Sequence, residues 1–132
     1  MHSISPETIF RGKYAWEESL PQIAKLTKSP LILGRGNHTN NLRNKIFIDL
    51  KNQNLSVNFA NLQFDCCYED ISRIKEVILK NHNDSVIAAG GGKVLDSGKY
   101  IADSLNLPCI TIPLSASTCC LLYTSDAADD RM

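Results

Sequence analysis

Val86-Ile87-Ala88-Ala89-Gly90-Gly91-Gly92-Lys93-Val94-Leu95-Asp96 decides the fold of this chain: an apolar run passes through three glycines and a lysine into a helical pattern. Strand, glycine turn and helix in that order describe one half of a parallel βαβ unit. They also describe a phosphate site. Glycines let a backbone approach a pyrophosphate without a Cβ in the way and can take positive φ, and the helix that follows offers its first N–H groups and the positive end of its dipole. Lys93 adds a full charge. Neither common glycine-rich fingerprint fits: a dinucleotide GxGxxG beginning at Gly90 needs glycine at Leu95, and a Walker A loop needs glycine at Ile87 and Ser or Thr at Val94. A turn whose glycines solve only a backbone problem reads the same way.

Working outward, Lys93, Asp96 and Lys99 recur at helical spacing and share one face near the helix start, as a nucleotide site or an ion-paired surface would have them. Leu95, Gly98, Ile101, Ala102 and Leu105 form the apolar face of a helix over about 94–104. Pro108 to Ile112 makes the next buried strand, and Pro113-Leu114-Ser115-Ala116-Ser117-Thr118 follows at its carboxyl end. In an open parallel sheet, that end is where ligands bind.

Towards the amino terminus the pattern predicts an edge strand over Glu7 to Arg11 and a helix over Ala15 to Leu26, with Pro21 awkward in its interior. Then come a strand at Leu31 to Leu33, a helix at Leu42 to Asn52, a strand at Leu55 to Phe59, and a helix at Glu69 to Asn81 with Ile71, Ile74, Val77 and Ile78 inward. The basic stretch Arg43 to Lys51 reads as core plus solvated rim. The expected architecture is α/β, a Rossmann-like parallel sheet with helices on both faces.

The glycine segment Gly90 to Lys99, followed by Pro113 to Thr118 and preceded by Phe10-Arg11-Gly12, resembles the amino-terminal domain of glycerol dehydrogenase and the iron-containing alcohol dehydrogenases. The resemblance implies a dinucleotide-binding domain followed by a helical, metal-binding one. It also implies an NAD(P)-dependent, zinc- or iron-requiring oxidoreductase acting on an alcohol or polyol and oligomeric when intact. A cytoplasmic location is expected from cysteines that read as reduced thiols and from Met1 to Gly12, which lacks a signal pattern. The resemblance assigns cofactor binding to Gly90, Gly91, Gly92, Lys93, Val94, Asp96, Leu114, Ser115, Ser117 and Thr118. Cys119 stands where glycerol dehydrogenases carry a substrate-touching aspartate, so it is assigned to the substrate side and leaves the substrate open. The family's NAD-selecting aspartate falls near Gly34-Arg35-Gly36, and Arg35 instead offers a guanidinium that matches a 2′-phosphate, which favours NADP, unless it points only to solvent. Glycerol-1-phosphate dehydrogenase, dehydroquinate synthase and a stand-alone nucleotide-binding module are the alternatives, and Lys93 argues against the lyase.

No residue inherits the family's metal-ligand roles: His2, His38 and His82 lack paired spacing and read as solvated surface. Cys66 and Cys67 are adjacent, and no disulfide framework emerges among the five cysteines. Fourteen basic and fourteen acidic residues are interspersed, which leaves no footprint for nucleic acid or an anionic membrane. The apolar runs are too short to span a bilayer.

Cys120 to Asp130 resembles a translated sequencing adapter, the transposase end used in DNA library preparation, residue for residue. The expected division is therefore a dinucleotide-binding domain over 1–119, part of a longer protein, and a non-native tail over 120–132. On that division the chain by itself is expected to be inactive.

Overall fold

The structure is a computed structural model that describes residues 9–10, 15–36, 40–63, 68–114 and 122–125. In chain order the elements are β1 (Ile9–Phe10), α1 (Ala15–Leu26), β2 (Pro30–Arg35), α2 (Asn40–Lys51), β3 (Asn58–Leu62), α3 (Tyr68–Asn81), β4 (Ser85–Gly90), α4 (Gly92–Ser104), β5 (Cys109–Pro113) and β6 (Leu122–Ser125). They build one sheet in the order β1-β6-β5-β4-β2-β3. The four strands β5, β4, β2 and β3 run parallel, while β6 joins β5 and β1 antiparallel.

Strands buried on both faces should read as continuous apolar runs rather than alternating ones. β4 is buried at every position and β2 at every position but its last. Alternate residues feed two cores. Leu31, Leu33, Val86 and Ala88 pack with Ile71, Ile74 and Ile78 of α3 and Val94, Ile101 and Ala102 of α4. Ile32, Ile87, Ala89, Ile110 and Ile112 pack with Trp16 and Ile23 of α1 and Ile46 and Leu50 of α2. The expected parallel sheet with helices on both faces is the observed one.

Gly98 sets how closely α4 rides on the sheet. A Cβ added there would lie 2.5 Å from the Cβ of Ala88, closer than side chains approach, so the helix rests on β4 where a methyl group is missing. α1 continues through Pro21, which is exposed, because Trp16, Ser19 and Ile23 bury the opposite side and offset the lost backbone bond. Lys45 of α2 bonds Asp49 at 2.8 Å, lies 3.6 Å from Glu17 of α1, and so links the two helices on this face.

Two expectations shift. The third strand begins at Asn58 rather than Leu55. Asn54 takes φ 66 to end α2, Leu55 N–H bonds back to Leu50, and Ser56 N–H donates to Lys28 O, so 55–57 form the return loop. Leu55 is buried, as an apolar residue reading suggests, but as a plug under the loop. Residues 122–125, inside the segment read as adapter, pair with β5 and β1. Edge strands present unpaired backbone groups that any extended segment can join, so this pairing does not depend on where the segment came from.

The amino ends of β2 and β4 are tied together by side chains. Asp84 accepts Thr27 Oγ1–H, the Lys28 N–H at 2.9 Å and the Ser29 N–H at 3.0 Å. Asn83 Nδ2 donates to Ser29 O at 3.0 Å and to Asn58 Oδ1 at 2.7 Å. The edge strand β3 is closed at its other end by buried Asp70, which accepts the Gln63 N–H at 2.9 Å and Arg73 Nη2 at 2.7 Å.

Candidate functional site

From β2 the chain moves outward through α2 to β3; from β4 it moves the opposite way through α4 to β5. α2 and α4 pack on opposite faces, so the chain leaves the carboxyl ends of β2 and β4 towards opposite sides of the sheet. Such a switch in direction is where open α/β sheets bind ligands.

Gly90 ends β4 opposite Pro113 of β5, and Leu114 N–H donates to Gly90 O at 3.0 Å. The glycine segment and the Pro113-Leu114 segment, 23 positions apart in the sequence, therefore meet through one backbone bond. Arg35 ends β2, two residues beyond the Leu33–Ala88 pair that aligns β2 with β4. All three sequence-derived segments thus reach the same edge of the sheet. Ser115, Ser117, Thr118 and Cys119 lie outside the described residues, as do His2, His38, Cys66 and Cys67.

The glycines divide by the reason each is needed. At Gly90 an added Cβ would press on the Val94 side chain at 3.0 Å, so packing explains it. Gly91 and Gly92 face open space, with nothing within 4 Å of an added Cβ, so no internal contact asks for glycine there. Gly91 caps α4 at φ −86 and ψ −170 with no side-chain bond to the helix. This corrects the expectation of positive φ: among the described glycines only Gly36 takes it, at φ 72. What Gly91 and Gly92 contribute is clearance over the first turn of α4, a surface that fits a pyrophosphate against helix N–H groups.

Lys93 and Asp96 are exposed and Lys99 is half-buried, on the outward side of α4. Val94 is not: its side chain lies in the core beneath α4, which leaves only its backbone for a ligand. His82 is exposed at φ 56 just past α3, as a solvated residue would be. Cys109 is buried in β5, and desolvation pushes its thiol up to about 12. Among the described residues no three His, Cys, Asp or Glu side chains gather as a metal site, and no helix is long and apolar enough to cross a membrane.

Arg43 escaped the sequence reading. Its side chain is fully buried, and Nη2 donates to Gly36 O at 2.8 Å. The guanidinium also occupies the space where a Cβ at Gly34 would stand. Burial pulls its pKa below the ordinary value, through desolvation. The signal was present: Arg43, Ile46 and Leu50 fall at i, i+3 and i+7, the buried stripe of α2, and the glycines at 34 and 36 leave room for a large side chain.

A family model described as iron-containing alcohol dehydrogenase matches residues 6–122. Glycerol dehydrogenase 1 of Schizosaccharomyces pombe is 31% identical over 115 residues, covering 86% of this chain and 25% of that protein. The crystal structure of glycerol dehydrogenase from the same species superposes with a TM-score of 0.70 at 27% identity, over 82% of this chain and 27% of that one. An iron-containing alcohol dehydrogenase from Thermotoga maritima shares the fold, with a TM-score of 0.72 at 19% identity over 80% of this chain and 35% of that one. The chain spans about a quarter to a third of the length of these relatives. Matched along most of its own length, the chain belongs to the iron-containing alcohol dehydrogenase family.

Proposed function

We propose that this chain is the dinucleotide-binding part of an NAD(P)-dependent alcohol or polyol dehydrogenase. The observation that carries the reading is the convergence of Arg35, Gly90 to Lys93 and Leu114 at the carboxyl ends of β2, β4 and β5, where the sheet reverses direction. The open clearance over Gly91 and Gly92 supports it, since it suits a ligand rather than an internal contact.

On this reading the N–H groups from Gly91 to Val94 bind the pyrophosphate, and Lys93 adds charge at the same point. Asp96 lines the outward face one turn on. Leu114, bonded to Gly90, fixes the start of the second segment, from which Ser115, Ser117 and Thr118 hydrogen-bond the cofactor and Cys119 faces the substrate. Arg35 receives the ribose end and selects a 2′-phosphate, which makes NADP the preferred dinucleotide. When bound, the dinucleotide supplies a nicotinamide that exchanges hydride with a secondary alcohol carbon. The zinc or iron implied by the resemblance finds no cluster of ligands among the described residues. Cys120 to Met132 is assigned to adapter-derived sequence.

The test is calorimetric titration of the 132-residue chain with NADP and with NAD. Binding of both, with NADP tighter, is expected. A folded chain that binds neither at millimolar concentration overturns the reading. No alcohol-dependent reduction of either dinucleotide is expected from this chain alone, and turnover would overturn the assignment of the metal elsewhere. Re-sequencing the source locus across the codon for Cys119, from a library made without transposase adapters, tests the tail; an unchanged frame through Met132 would refute its assignment.

A further inference from the structure

We infer that Arg43 is a positioning residue for cofactor choice: it fixes the β2 end so that Arg35 meets the 2′-position of the dinucleotide ribose. The inference rests on the dinucleotide reading above and deepens it.

A buried arginine is costly unless its donors are used, and the fork geometry of guanidinium rewards carbonyls held in a fixed place. Arg43 satisfies both conditions at one spot. Its stem rises from the buried stripe of α2, its Cδ, Nε and Cζ fill the space a Cβ at Gly34 would need, and Nη2 donates to Gly36 O at 2.8 Å. The two glycines flank Arg35. One lacks a side chain where the guanidinium sits; the other takes φ 72, a left-handed turn that L side chains resist. Arg35 is thus held on both sides by contacts to a single buried group, while its own side chain stays half-exposed at the strand end. Arg43 is too deeply buried to touch a ligand itself, so it acts through the backbone that carries Arg35.

The test compares Kd for NADP and NAD across the unsubstituted chain and the variants Arg43→Met, Arg43→Lys, Gly34→Ala, Arg35→Ala and Arg35→Ala/Arg43→Met. Arg43→Met should weaken NADP about tenfold, the scale of one charge-assisted hydrogen bond, and leave NAD within about twofold. Arg43→Lys should restore part of the preference. The double variant should be no worse than Arg35→Ala, because both changes remove the same interaction. Gly34→Ala pushes the guanidinium aside from its other surface and should reproduce Arg43→Met, so it carries the test if Arg43→Met fails to fold.

A preference that survives both Arg43→Met and Gly34→Ala but disappears in Arg35→Ala overturns the inference and leaves the reading of Arg35 standing. A variant chain with lowered thermal stability and an unchanged NADP-to-NAD ratio has the same meaning, a structural role only. An unsubstituted chain with no preference, matched by Arg35→Ala, overturns the Arg35 reading and the inference together.

Discussion

Two regions of the parallel sheet, the amino ends of β2 and β4 and the carboxyl ends of β4 and β5, are built by opposite means. At the amino ends of β2 and β4, side-chain hydrogen bonds from Asp84, Asn83 and Thr27 tie the two strands together. At the carboxyl ends of β4 and β5 the connection described is backbone to backbone, Leu114 to Gly90, and Gly91 and Gly92 stand over open space. The first end is tied by side chains, and the second leaves two glycines uncovered. On the proposed function the second end is the surface that receives the dinucleotide, and local rules are relaxed where function is located.

The largest effect should come from the closed end. Asp84→Ala removes the acceptor for two backbone N–H groups and the Thr27 hydroxyl, and should lower stability by about 3 kcal/mol in urea unfolding while the folded protein keeps its dinucleotide affinity. An equal loss of affinity would erase the contrast between the ends. At the open end, Gly92→Ala should do the reverse. Alanine is the better helix former and the added methyl meets nothing, so stability should hold or rise by about 0.5 kcal/mol. Dinucleotide affinity measured by titration should nevertheless fall about tenfold, because the methyl occupies the clearance. Unchanged affinity would make these glycines mere turn formers.

The smallest effect belongs away from both ends. Lys45→Met breaks an exposed pair with Asp49 and the link to Glu17, and should cost no more than about 0.5 kcal/mol. Its sign with pH is fixed. The Asp49 hydrogen bond raises the Lys45 pKa above 10.5, so the contribution is present below that pH and lost as pH climbs through the raised value. A pH-stability curve of the Lys45→Met chain should therefore converge with the parent only in strong alkali.

Legibility in the sequence followed the same division. β2, β4, β5 and α4 were readable because continuous apolar runs and a three- to four-residue period each have one physical solution. β3 slipped by three residues because Leu55 is as apolar as a strand residue, and the left-handed Asn54 that turns it into a loop plug leaves no mark in hydrophobic pattern. In the glycine segment the strand-to-helix turn could be read from the run of glycines, but Val94, whose side chain lies in the core, could not be separated from its exposed neighbours. Arg43 was hidden by charge: a cation on a buried stripe looks like a break in the pattern unless the two glycines that accommodate it are read together with it.

Cys109, sealed in β5, gives the protein a built-in clock. The thiolate is the nucleophile, and burial suppresses both its formation and its access to reagents. Alkylation of this cysteine can advance only as fast as β5 leaves the sheet, so its labelling rate counts opening events at the strand that adjoins the glycine segment. A dinucleotide seated over Gly91 and Gly92 would then be felt as a slowing of that clock, read by mass spectrometry on one peptide.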